Sequence, residues 1–135
     1  MSAARWTPNQ LKAHQAGRIV QKQTNRPKET ANRITANIIR AVNMQPKCVA
    51  YRINNVGVWD AEKQIHRKGN TQKGIADVAA IIRGRAAWIE VKAGRDKLSR
   101  EQMIFGQEVT SAGGLYFVAY STDEFLTWFK EILCG

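Results

Sequence analysis

The chain is poor in every feature that would tie it to a membrane or the secretory route. No stretch approaches the roughly eighteen consecutive apolar residues a membrane span requires, and the N-terminus has no apolar h-region of a signal peptide. Cysteine is scarce. Cys48 and Cys134 stand alone, with no ligand-like residues nearby, which argues against a disulfide framework or a zinc site and fits reduced thiols in a cytoplasmic protein. Neither an internal repeat nor a low-complexity stretch is present. Acidic residues are also few, 11 against 21 lysines and arginines, for a net charge of +10. Residues 1–28 contain no acid and six basic residues (Arg5, Lys12, Arg18, Lys22, Arg26, Lys28), leaving 15 basic residues against 11 acidic ones in the rest. Such an excess implies an anionic partner, nucleic acid first.

At 135 residues the length suits one domain with a genuine core. Residues 1–27 read as a basic N-terminal arm with a thin apolar stripe (Leu11, Ile19, Val20), and residues 28–135 as the folded domain. From Glu29 to about Val42, Ala31, Ile34, Ile38, Ile39 and Val42 recur at helical spacing, and Pro46 ends the run. Cys48–Ile53 reads as a strand, with Asn54, Asn55 and Gly57 as turn signals, and Val56–Asp60 as a second short strand. Residues 61–74 are polar and basic, a loop or irregular ribbon. Asp77–Ile82 and Ala86–Lys92 are strands joined by a tight hairpin at Arg83-Gly84. Ser99–Gly113 is a helix with a capping-box start, Ser99-x-x-Gln102, and a Gly-Gly stop. Leu115–Tyr120 is a buried strand. Ser121-Thr-Asp-Glu124 opens a last helix whose core face is Phe125, Trp128, Phe129 and Ile132. This order predicts an α/β sandwich around a mixed sheet.

Charges are expensive to bury, yet Asp77, Glu90 and Lys92 sit in apolar, strand-like surroundings. If Arg83 and Gly84 form a two-residue loop, Ile82 faces Arg85 and Asp77 falls directly opposite Glu90. Opposed side chains on one face are about 5 Å apart, and like charges there repel. A divalent cation between them removes the conflict. Lys92, two residues beyond Glu90, projects from the same face. Carboxylates are hard ligands suited to magnesium or manganese, which commonly also take a substrate phosphate oxygen. A bound metal would acidify a water and offset charge on a phosphoryl transition state. A lone Glu-x-Lys is a common tripeptide at solvated strand ends. Here it is joined by a preceding Gly74-x-x-Asp77, apolar flanks and a basic chain.

Taken together, Gly74-x-x-Asp77, Glu90-Val-Lys92, Ser99-x-x-Gln102 and the strand Gly114–Tyr120 resemble the PD-(D/E)xK nuclease superfamily. More narrowly they resemble the virus-type replication–repair nuclease (VRR-NUC) domain, over about Lys28 to Leu133. The resemblance implies a restriction-endonuclease-like αβββαβ core and a nuclease dependent on Mg2+ or Mn2+. Ala76 stands where the motif often has proline, which contributes only backbone restraint. Carried over by position, Asp77 and Glu90 would hold the metal, the Val91 carbonyl would complete the coordination, and Lys92 would be the catalytic lysine. Gln102 matches the motif glutamine, although N3 of a capping box explains it equally well. Glu29 matches the family's helix glutamate as a further metal contact. In a helix it would lie roughly 180° from Ile38, off the apolar stripe, and would suit an acidic first turn with Arg33 at i+4.

Two basic groups flank the motif: Lys63, Arg67, Lys68 and Lys73 before Asp77, and Arg95, Lys97 and Arg100 after Lys92. They are candidate phosphate contacts, which position DNA without reading sequence. His66 lies in the first group and reads as an exposed residue. Tyr51, Trp88 and Tyr116 have strand spacing and read as core rather than as base-stacking platforms. The expectation is a structure-selective endonuclease hydrolysing phosphodiester bonds of branched DNA such as four-way junctions. Stand-alone VRR-NUC proteins are similar to Holliday-junction resolvases, which implies a homodimer in DNA recombination and repair, in a bacterium or a virus-infected (phage) host cell. Symmetric junction cleavage needs two active sites, and one such chain offers one. A non-catalytic DNA-binding protein that kept the fold, and a nuclease for flaps or RNA, are the competing readings.

Overall fold

The computed structural model describes residues 28–53, 58–67 and 72–135, so the basic arm and Lys68 lie outside it. Helix α1 spans Ala31–Asn43. Thr30 is its N-cap, accepting the Arg33 N–H at 3.2 Å, and Ile34, Ile38 and Val42 form a fully buried stripe. Strand β1, Cys48–Arg52, follows, then a separate ribbon of β2, Val58–Asp60, paired antiparallel with β3, Ile65–Arg67. The stretch read as a loop or irregular ribbon thus contains a paired strand. Three residues without an apolar stripe leave little periodicity to detect.

Strands β4, Val78–Ile82, and β5, Arg85–Val91, form the expected hairpin. Arg83 and Gly84 have φ of 48° and 85°, the positive pair that a two-residue turn with the twist of its strands requires. Ile82 pairs with Arg85 and Val78 with Ile89, so the register is the expected one. Helix α2, Arg100–Ser111, crosses over to β6, Leu115–Ala119, which pairs parallel with β5. Helix α3, Thr122–Cys134, closes the chain. The four-stranded mixed sheet has the order β1-β4-β5-β6.

Side-chain alternation splits the sheet into two faces. Ala50, Val78, Ala80, Ile82, Ile89, Val91 and Phe117 pack on α1 and α3, where Phe125 and Phe129 fill the centre. On the other face, Tyr116 and Val118 pack with Leu98 and Ala76 beside the partly buried Trp88, Met103, Phe105 and Val109. Gly106 lets α2 approach: a Cβ there would come within 2.6 Å of the Tyr116 ring. Among the described residues this second face is covered over β5 and β6. Tyr51 and Ile81, on β1 and β4, remain 66% and 52% exposed, so Tyr51 does not belong to the core its spacing suggests. Among the described residues no helix is long and apolar enough to cross a membrane. Cys48 and Cys134 are free thiols.

Candidate active site

The β4–β5 register, continued one pair past Val78 and Ile89, sets Asp77 against Glu90 at the end of the hairpin. Just beyond the ladder, the carbonyl of Asp77 accepts the Ile53 N–H at 2.8 Å. Its side chain turns to β5, where Oδ2 accepts the Val91 N–H at 2.9 Å. Asp77 is thereby locked beside Glu90 by the backbone of the residue that follows Glu90.

Glu90 is a costly group to bury. It is 3% exposed, and burial, reinforced by the charge of Asp77, pushes its pKa from 4.5 to about 8 despite the opposing charge of Lys92. One oxygen is satisfied: Oε1 accepts the Gln102 amide at 2.8 Å and lies 3.8 Å from Lys92 Nζ. The other, Oε2, is buried with no hydrogen-bond partner. A buried orphan acceptor next to a second carboxylate is a strained arrangement for a bare protein and a fitting one for a cation. Among the described residues no third Asp, Glu, His or Cys joins them to form a larger metal-ligating group. Two carboxylates supplemented by backbone oxygen, water and a substrate phosphate match the habit of magnesium more than that of a metal held wholly by side chains.

Gln102 completes the helix cap and also reaches Glu90. Its Oε1 accepts the Ser99 N–H at 2.9 Å while the Ser99 hydroxyl accepts the Gln102 N–H at 3.2 Å, a complete capping box. With the amide oxygen held by the cap, Nε2 is left to donate to Glu90. The helix start is therefore bolted to the carboxylate.

An open cleft of about 510 Å3 lies over the pair, lined by Lys73, Gly74, Asp77, Glu90, Ser99 and Gln102 among others. Gly74 makes its wall. It has φ +79°, and a Cβ there would overlap the Glu101 carbonyl in the first turn of α2. The Gly74-x-x-Asp77 spacing thus reflects a loop pressed on a helix start, three residues before the carboxylate it delivers.

No family model matches the chain, and no curated protein matches it. The site therefore stands on its own geometry.

Glu29 is placed differently from the expectation. Thr30 is the N-cap, so Glu29 precedes the helix, and its angle on a helical wheel has no bearing. Its carboxylate accepts the Thr122 N–H at 2.9 Å, the Thr122 hydroxyl and the Asn37 amide, clamping the start of α3 to the start of α1. Burial raises its pKa, but the hydrogen bonds from Thr122 and Asn37 and the charge of Arg33 outweigh this and hold it below the usual range. These contacts do not bring Glu29 to the Asp77–Glu90 pair.

Of the flanking basic residues, Lys73 lines the cleft. Arg95 and Lys97, between β5 and α2, and Arg100, the first residue of α2, are exposed. Lys63 is exposed in the β2–β3 turn and Arg67 ends β3, while Lys68 is not among the described residues. His66 is exposed, its ring 5.0 Å from that of Trp59. Tyr116 is buried at 3% exposure, as its strand spacing suggests; what the spacing did not disclose is its hydroxyl, the other buried orphan among the described residues. Burial, then the charges of Glu90 and Asp77, raise its pKa. Its position on the same face as Glu90, in the neighbouring strand, was the available signal.

Proposed function

We propose that the protein is a divalent-metal-dependent, structure-selective DNA endonuclease of the PD-(D/E)xK type, similar to the VRR-NUC domain. The observation that carries this reading is Glu90: buried, with an unpartnered oxygen, beside Asp77 and 3.8 Å from Lys92. A restriction-endonuclease-like core is consistent with the strand and helix order. Asp77 and Glu90 would hold Mg2+ or Mn2+, with the Val91 carbonyl as a further ligand. The ion would supply an acidified water and a counter-charge to the phosphate. Lys92 orients the attacking water or stabilises the phosphate. Gln102 and the Val91 N–H keep the two carboxylates in place, and Lys73, Arg95, Lys97 and Arg100 supply cations for the strand backbone. Branched DNA cut by a homodimer is the proposed substrate and assembly.

With Mg2+ or Mn2+, the purified protein should cut four-way junctions, flaps or nicked duplexes. Asp77→Ala and Lys92→Ala should each lower the rate at least about 100-fold while retaining DNA affinity. Intact substrates in all three assays would sink the proposal, and full activity in either variant would move the site elsewhere.

A further inference from the structure

Beside the carboxylates lies a second feature on the same sheet face. Cross-strand pairing aligns Tyr51 with Ala79, Ala79 with Trp88, and Trp88 with Tyr116. This aromatic row runs parallel to the Asp77–Glu90 pair, one same-face step further along β4 and β5, about 7 Å away. Helix α2 covers one end of it, where Phe105 meets Trp88 edge-on at 5.2 Å. At the other end Tyr51 is exposed. Ala79 contributes only a methyl group, so the pairing leaves room for a slot between the 66% exposed Tyr51 and the half-buried Trp88, with the 52% exposed Ile81 two residues along β4.

An aromatic wall over a small apolar floor accepts a flat, weakly polar group. The distance to the carboxylates is of the same order as the span from a backbone phosphate to its own base. A partner whose phosphate sits at Asp77 and Glu90 therefore brings a base to this slot, and the +10 charge of the chain favours a polyanion. A base stacked inside a duplex is not available to Tyr51; an unpaired one is.

We infer that Tyr51, with Ala79 and Trp88, forms a stacking slot for an unpaired nucleobase next to the scissile phosphate, which makes the enzyme selective for strands with an unpaired nucleotide there. This rests on the nuclease reading above.

The test places 2-aminopurine at successive positions around the cleavage point of a flap or junction, with Lys92→Ala protein and Mn2+ to retain the substrate. One position should be strongly quenched on binding, and the Lys92→Ala/Tyr51→Ala double variant should lose that quenching. In the Lys92-containing protein, Tyr51→Ala should weaken binding of the branched substrate about tenfold and leave the salt dependence of binding unchanged, since no phosphate contact is lost. Tyr51→Phe should restore both quenching and affinity. Unchanged quenching or unchanged affinity in Tyr51→Ala overturns the slot while wild-type cleavage leaves the nuclease reading standing. Absence of cleavage by the wild-type protein overturns the nuclease reading, and the quenching then reports on base binding by itself.

Discussion

Glu90 ties stability to chemistry at a single residue. Its folded pKa of about 8 lies above its ordinary 4.5, so protonated Glu90 favours the folded, metal-free state. That contribution is whole below pH 4.5 and is lost as pH rises through about 8. Within this window the loss amounts to at most ~1.4 kcal/mol per pH unit. Denaturant titrations in chelator should show the wild type losing stability relative to Glu90→Gln between pH 5 and 8.5, because the amide does not titrate. A divalent ion should then raise the wild-type melting temperature more at pH 8.5 than at pH 6, and should not raise that of Glu90→Gln. A parallel pH response in the two proteins would show that Glu90 is not the group involved. Gln102 offers a second residue-scale comparison. Ser99→Ala removes half of the capping box, about 1 kcal/mol, whereas Gln102→Ala removes the other half and the donor to Glu90. Gln102→Ala should therefore destabilise the protein similarly or more, and only this variant should also weaken metal binding. Equal metal affinity in both variants would confine Gln102 to the helix cap.

At the scale of elements, the site is built where three segments are pinned together: the loop at Gly74, the hairpin end at Asp77 and Glu90, and the first turn of α2. Gly74→Ala attacks the joint directly. The positive φ costs about 1 kcal/mol for a side chain, and the added methyl meets backbone, which cannot rotate away as a side chain does. A loss of about 2–4 kcal/mol is expected in thermal or chemical denaturation, with reduced metal affinity because Asp77 follows three residues later. A wild-type melting curve would mean that the loop does not press on α2. Elements also show what the sequence could disclose. The hairpin register was legible because Arg83-Gly84 admits a two-residue turn and the strands around it alternate, which together fix Asp77 opposite Glu90. The capping box was legible, but its second hydrogen bond to Glu90 was not, because it depends on where α2 lands on the sheet. Tyr51 was misread for a similar reason: alternation assigns a residue to a face, not whether a helix covers that face. For Glu29 the error was local. Thr30 is a good N-cap, and recognising it would have moved Glu29 out of the helix.

On the whole-molecule scale the charge is divided unevenly. The arm over 1–27 holds Arg5, Lys12, Arg18, Lys22 and Arg26 without one acidic residue, whereas the described domain holds the carboxylates and the cleft. On the proposed nuclease reading, binding through phosphates and catalysis at Asp77 and Glu90 should therefore separate experimentally. Each cation that neutralises a phosphate contributes about 0.9 to the slope of log affinity against log salt on duplex DNA. Replacing the five arm cations by glutamine should flatten that slope by as much as ~4.5 and weaken binding at low salt. The single-turnover cleavage rate at saturating protein should stay within about twofold, because none of the five adjoins the carboxylates in sequence and the chemistry needs only a bound phosphate. Lys92→Ala should show the opposite pattern, a lost rate with the slope reduced by at most about one. If the glutamine variant instead keeps its salt slope and loses its rate, the arm acts at the reaction centre, and the division between a binding arm and a catalytic domain is wrong.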